Sequence, residues 1–81
     1  MFSQRFQKNV RLTHHVKARM EKRDISLELL LDLIETGNTH YKSESDRWIF
    51  KKYPERTDNM VCAAVVIGQA VIVKTVMVVG H

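Results

Sequence analysis

Two long, nearly uncharged β-branched runs at the end of the chain constrain its fold more than any other feature. Residues 60–67 (MVCAAVVI) and 70–79 (AVIVKTVMVV) are separated only by Gly68-Gln69. β-branched side chains suit a pleated, half-buried surface, and a glycine opening a two-residue connection predicts a hairpin turn. A hairpin this apolar is not stable alone in water; it needs further strands, or a helix, against it. The chain has 81 residues, enough for one domain whose thin core buries roughly 60% of the unfolded surface. A multi-layer enzyme or a dinucleotide-binding doubly wound sheet is excluded.

Upstream the pattern is helical. Thr13 caps a predicted helix over 14–23, in which Leu12, Val16 and Met20 at i, i+4, i+8 form a narrow apolar stripe. Asp24-Ile25-Ser26 ends it. Ser26 then caps a second helix over 27–36, with Glu28 complementing its dipole and Gly37 marking its stop. Leu27, Leu30, Leu31 and Ile34 make one stripe, widened by Leu29 and Leu33. A face that broad belongs to a central core helix or leaves apolar surface for a partner. Residues 39–42 and 47–53 read as two more strands between polar turns. Residues 1–12 are less defined: 10–12 would add an edge strand, and Phe2 and Phe6 would staple the tail to the core. The expectation is an α+β fold, two N-terminal helices on one face of an antiparallel sheet of about four strands, in a single domain over 1–81.

The formal net charge of +4 hides a segregation. Residues 1–25 carry Arg5, Lys8, Arg11, Lys17, Arg19, Lys22 and Arg23 against Glu21 and Asp24. Residues 26–46 carry Glu28, Asp32, Glu35, Glu44 and Asp46 against Lys42. Residues 47–81 return to basic, with Arg47, Lys51, Lys52, Arg56 and Lys74 against Glu55 and Asp58. Two basic regions flanking an acidic one can give the molecule a positive face suited to a polyanion such as nucleic acid. The single cysteine excludes a disulfide framework or a cysteine zinc cluster. No run approaches the ~18 apolar residues of a membrane span, and no signal-peptide pattern opens the chain.

Few residues offer chemistry. On the first helix His15, Arg19 and Lys22 fall at i, i+4, i+7, within about one-sixth of the circumference, with Arg23 beside them. An imidazole exchanges a proton near neutral pH and a guanidinium stabilises charge on phosphate oxygens. Together they suit phosphodiester cleavage without metal, or form an ordinary basic helix face. Lys74 and Thr75 interrupt the last apolar run. Adjacent strand residues point to opposite faces, so these two share a surface only if the strand is bulged; alternatively, Lys74 blunts an exposed edge. Trp48, Phe50 and Lys52 share one side of their strand, and Arg47, Ile49, Lys51 and Tyr53 the other. Basic and aromatic residues alternating on an open sheet would stack unpaired bases; otherwise the aromatics are core. His14, His15, His40 and His81 include no i, i+4 pair, and neither a metal nor a cofactor is expected. Cys62, amid Val61, Ala63 and Ala64, reads as packing rather than nucleophile.

Residues 13–26 resemble the opening of a family of short bacterial domains that reads T-x-H-A-x-x-R-M-x-x-R-x-I-S. Thr13, His15, Arg19, Met20, Arg23, Ile25 and Ser26 match it, Val16 replaces the alanine, and Glu35 and Gly37 match the E-x-G turn that follows. That family looks like a member of the barnase/EndoU/colicin/RelE-like fold group, in which two N-terminal helices pack on a curved antiparallel sheet and many members are RNase toxins. The resemblance implies a metal-independent ribonuclease toxin, with tRNA among the candidate substrates. It places His15 and Arg19 in the cleft and favours Lys74 or Thr75 as a further contributor. Lys17, Lys22, Arg23, Arg47, Lys51 and Lys52 are the candidate RNA contacts. It further implies an acidic antitoxin or immunity protein, docking on the basic arm or on Leu29 and Leu33. Action would be in the bacterial cytoplasm, for the free protein or as the delivered tip of a larger toxin. The alternative is a non-catalytic relative that binds a protein or RNA target.

Overall fold

The computed structural model describes residues 1–79, so His81, the fourth histidine, lies outside the described residues. The fold is α+β, with two helices and a curled, mixed sheet of six strands in the order β1-β2-β6-β5-β4-β3. Strands β1 (Phe2–Ser3) and β2 (Lys8–Leu12) precede the helices, so the chain does not open with α1. The expected edge strand at 10–12 exists, but lies inside the sheet between β1 and β6. It runs parallel to β6, pairing Val10 with Val71 and Leu12 with Val73, so the sheet is mixed rather than antiparallel. The short polar stretch before β2 concealed this, because β1 has only two residues and no alternation to read.

Helix α1 (His14–Lys22) begins where expected: the Thr13 hydroxyl accepts from the Val16 amide at 3.1 Å. It ends in a Schellman turn, in which Ile25 N donates to Met20 O at 2.9 Å and Asp24 N to Glu21 O at 3.3 Å. Asp24 takes the left-handed conformation, φ 54°, that this turn requires. Helix α2 (Leu27–Thr36) is capped by Ser26, whose hydroxyl accepts from Leu29 N at 3.0 Å. Gly37 closes α2 with φ −71°, ψ 163°, an extended conformation open to any residue. Glycine is needed there for space: a Cβ would lie 2.5 Å from Leu33 O and 2.7 Å from Ile49 Cγ2. Arg5 ties the N-terminal hairpin to this helix end, donating to Gly37 O at 2.7 Å and Ile34 O at 3.2 Å.

Strands β3 (Asn38–Tyr41), β4 (Asp46–Lys52), β5 (Met60–Ile67) and β6 (Val71–Val79) are antiparallel neighbours. Ile67 pairs with Val71, so the β5–β6 connection is the three-residue loop Gly68-Gln69-Ala70 rather than a two-residue turn. Ile49, Ala63 and Val76 align across the sheet and are fully buried. They meet Val16 and Met20 of α1 and Leu30, Leu33 and Ile34 of α2 in one cluster, so both helices cover the same face. Because Leu33 is completely buried, it offers nothing to a docking partner; Leu27 is instead the exposed leucine of α2, at 57%.

Between Ala64 and Val65 the β5–β6 register slips: Ala64 faces Thr75, but Val65 faces Val73. Lys74 therefore has no partner residue and forms a bulge. Buried Val73 and Val76 bracket it, so Lys74 and Thr75 both turn away from the core. This is the condition under which the two share a surface.

Candidate functional site

Strand β2 pairs with β6 only as far as Val73, so among the described residues the β6 edge beyond it has no strand neighbour, and α1 packs against β6. Arg19 reaches this edge and donates its Nε to Val76 O at 2.9 Å. That bond holds the guanidinium in place and leaves its Nη groups without an acceptor among the described residues. His15, Ala18, Arg19 and Lys22 line a depression of about 100 Å³ there. The helical spacing thus assembles His15, Arg19 and Lys22 on one side of α1. His15 is exposed and has no hydrogen-bond partner among the described residues. Arg23 and Lys22 line a neighbouring polar depression with Asp24, Glu55, Arg56, Thr57, Asp58 and Val78. In it Arg56 grips Asp58 at 2.7 Å and donates to Arg23 O and Asp24 O at the end of α1. The hydrogen bonds from Arg56 to Asp58 hold that carboxyl below the usual range.

Lys74 does not line either depression. It shares one of about 230 Å³ with Lys42, Asp46, Arg47, Ala64 and Val65. The structure therefore brings His15 and Arg19 together, while Lys74 and Thr75 stand on the outer sheet face, opposite the helices. Of the candidate RNA contacts, Lys17, Lys22, Arg23 and Lys52 are exposed. Lys17 rims an apolar depression with Leu12, Met20, Glu21, Ile25 and Leu27. Arg47 and Lys51 are engaged within the protein. Arg47 donates to Glu44 O at 2.7 Å, its guanidinium 3.9 Å from the Tyr41 ring centroid. Lys51 donates to Asp32 Oδ2 at 2.9 Å and to Thr36 Oγ1 at 2.7 Å, tying β4 to α2. The Tyr53 hydroxyl donates to the same carboxylate at 2.7 Å. The bonds from Tyr53 and Lys51 lower the Asp32 pKa, while burial and then the Asp32 bond raise that of Tyr53.

The feature that periodicity alone left open is the outer sheet face. Trp48 and Phe50 lie there half-buried, with no helix over them among the described residues, so they are not core. Cys62 is on the same face, and burial pushes its thiol up, keeping it protonated and a poor nucleophile. Among the described residues, no group of three or more His, Cys, Asp or Glu gathers, and no helix is long and apolar enough to cross a membrane.

A family model described as Domain of unknown function (DUF4258) matches residues 12–78, from the last residue of β2 almost to the end of β6. No curated protein and no solved structure matches the chain.

Proposed function

This chain belongs to the DUF4258 family, and we propose that it is a metal-independent ribonuclease toxin of the barnase/EndoU/colicin/RelE-like kind. The observation that carries the proposal is Arg19: its Nε is fixed on Val76 O while its Nη groups, with no acceptor among the described residues, lie beside His15 and Lys22. A guanidinium positioned in this way can meet the non-bridging oxygens of a phosphodiester in a bidentate fork. RNA supplies its own nucleophile. His15 would take the proton of the 2′-OH, whose oxygen attacks the adjacent phosphorus while the bond to the 5′-oxygen breaks and that oxygen takes a proton from water or from the His15 imidazolium. The products are a 2′,3′-cyclic phosphate and a 5′-OH end. Arg19 and Lys22 would stabilise the charge that builds on phosphorus, a kind of contribution often worth ~2.7–4 kcal/mol per donor. Lys74 and Thr75, on the opposite sheet face, would hold the RNA strand away from the scissile phosphate rather than act on it. An acidic antitoxin or immunity protein would cover the basic arm, meeting Lys17 and the exposed Leu27. The site of action would be the bacterial cytoplasm.

The test is incubation of the purified protein with total RNA in EDTA, with and without cell extract, followed by end-group analysis. Fragments ending in 2′,3′-cyclic phosphate, lost in His15→Ala and Arg19→Ala, are expected. No cleavage under any condition, or cleavage unchanged in both variants, overturns the proposal. The second reading, a toxin or accessory module that binds without cutting, is favoured by the lack, among the described residues, of a group orienting the His15 ring. Growth arrest surviving the His15→Ala, Arg19→Ala double substitution would select it.

A further inference from the structure

The sheet register places His40, Trp48, Ala64 and Thr75 side by side across β3, β4, β5 and β6 on the outer face. The next row is Asn38, Phe50, Cys62 and Met77. The middle strand thus contributes only small residues, Ala64 and Cys62, while aromatic rings stand on one side and Thr75 and Met77 on the other. Strands lie about 4.8 Å apart, so the β4 and β6 backbones stand roughly 9–10 Å apart and their side chains border a narrower trough floored by β5. Cations surround it. Lys42 Nζ sits 5.6 Å from the Trp48 ring centroid, the bulge turns Lys74 outward next to Thr75, and Lys52 is exposed at the far end of β4. Asp46 is the only acid lining the Lys42–Lys74 depression.

We infer that this trough is a stacking site for an unpaired nucleobase of single-stranded RNA. The base lies over Ala64 against Trp48, its edge meets the Thr75 hydroxyl, and its phosphates meet Lys74 and Lys42. Aromatic stacking serves any base, and lysines neutralise the backbone that carries it. A duplex cannot present a base edge-on to such a trough, so the selectivity is for unpaired strands. The inference rests on the nucleic-acid reading above and gives it a substrate class.

Trp48 is the single tryptophan, so its emission reports the site directly. The probe is a 2′-O-methylated single-stranded RNA, which lacks the nucleophile and cannot be cut, compared with the same sequence as a duplex. Expected is quenching by the single strand, weakening with salt, and little by the duplex. Ala64→Leu, which fills the trough, should weaken binding about five- to hundredfold, with the fold checked by circular dichroism. If Ala64→Leu does not fold, Trp48→Leu read by anisotropy of a labelled oligonucleotide takes its place and should show a loss of the same size. Three outcomes overturn the inference: no quenching at low salt, equal quenching by duplex, or emission that shifts with protein concentration alone, which would give the face to a second copy. Quenching without cleavage leaves a binding face and removes the enzyme; cleavage without quenching removes only the trough.

Discussion

Deleting one residue from a strand inside a sheet ordinarily flips every side chain beyond the deletion to the wrong face. The bulge at Lys74 makes the opposite prediction. Ala64 faces Thr75 and Val65 faces Val73, so removing Lys74 joins two residues that already oppose adjacent partners. The strand then reads Val73 in, Thr75 out, Val76 in, a regular alternation, with all β5–β6 pairs retained. Deleting Ala64 from β5 is the control. It makes Ala63 and Val65, both buried and on one face, consecutive residues, so one side of the break must turn outward. Either Val65 and Ile67 or Val61 and Ala63 then leave the core. At about 1.5–3 kcal/mol for each large side chain, that costs about 2–6 kcal/mol. The whole chain has roughly 4–12 kcal/mol at 0.05–0.15 kcal/mol per residue. Urea unfolding, followed by circular dichroism and Trp48 emission, decides the matter. The Lys74 deletion should keep a cooperative transition within about 1 kcal/mol of the parent, a midpoint shift of about 1 M or less. The Ala64 deletion should have no cooperative transition or one far weaker. If the Lys74 deletion is as damaging as the Ala64 deletion, the bulge is not what turns Lys74 and Thr75 outward together.

Gly37→Ala should cost about 1–3 kcal/mol through overpacking against Leu33 O and Ile49. Gly68→Ala, where nothing lies within 4 Å of the new Cβ, should be neutral in the same melts. Asp24→Gly should raise stability by about 1 kcal/mol by relieving the left-handed conformation in the Schellman turn. Arg19→Ala should lower stability by about 1 kcal/mol, because Val76 O loses its donor, while Arg19→Lys recovers the charge but not the fork. The Asp32 carboxyl is held low by Tyr53 and Lys51, so its contribution is complete above its unfolded pKa near 3.9 and is lost as pH falls through the lower folded value. Asp32→Asn should therefore lower stability at pH 7 by less than about 1 kcal/mol, since the Lys51–Asp32 pair is over a third exposed. Its stability should also fall less than the parent's between pH 5 and pH 2 in acid titration melts.

Elements whose residues interact locally were legible in the sequence. Thr13 and Ser26 cap the two helices they were expected to cap, and β5 spans Met60–Ile67 as its apolar run implied. Contacts between distant residues were not. The parallel pairing of Val10-Arg11-Leu12 with Val71-Ile72-Val73 leaves no local trace, because a five-residue strand beside a helix cap looks the same whether it sits at an edge or in the middle. The reason for Gly37 was equally hidden: its φ and ψ are ordinary, and only the approach of Ile49 across the fold excludes a side chain. Among the charges, Lys51 and Arg56 counted toward the basic excess of residues 47–81, but they are ties to Asp32 and to the end of α1. Net charge by segment therefore overstated the surface available to a polyanion.

The same distinction explains why the two halves of the candidate site differ in legibility. His15, Arg19 and Lys22 lie on one helix, and helical spacing alone brings them together. The outer face depends on several separate strands, and its key event, the bulge, lies in the register between β5 and β6. Yet the sequence did carry a mark of it. A Lys-Thr pair in an otherwise apolar strand cannot keep period two without burying one polar side chain. Burial without a partner is costly enough to force the bulge, and the bulge puts both residues on the face where Trp48 already stands. A broken period inside an apolar strand therefore marked this surface better than the excess of basic residues did.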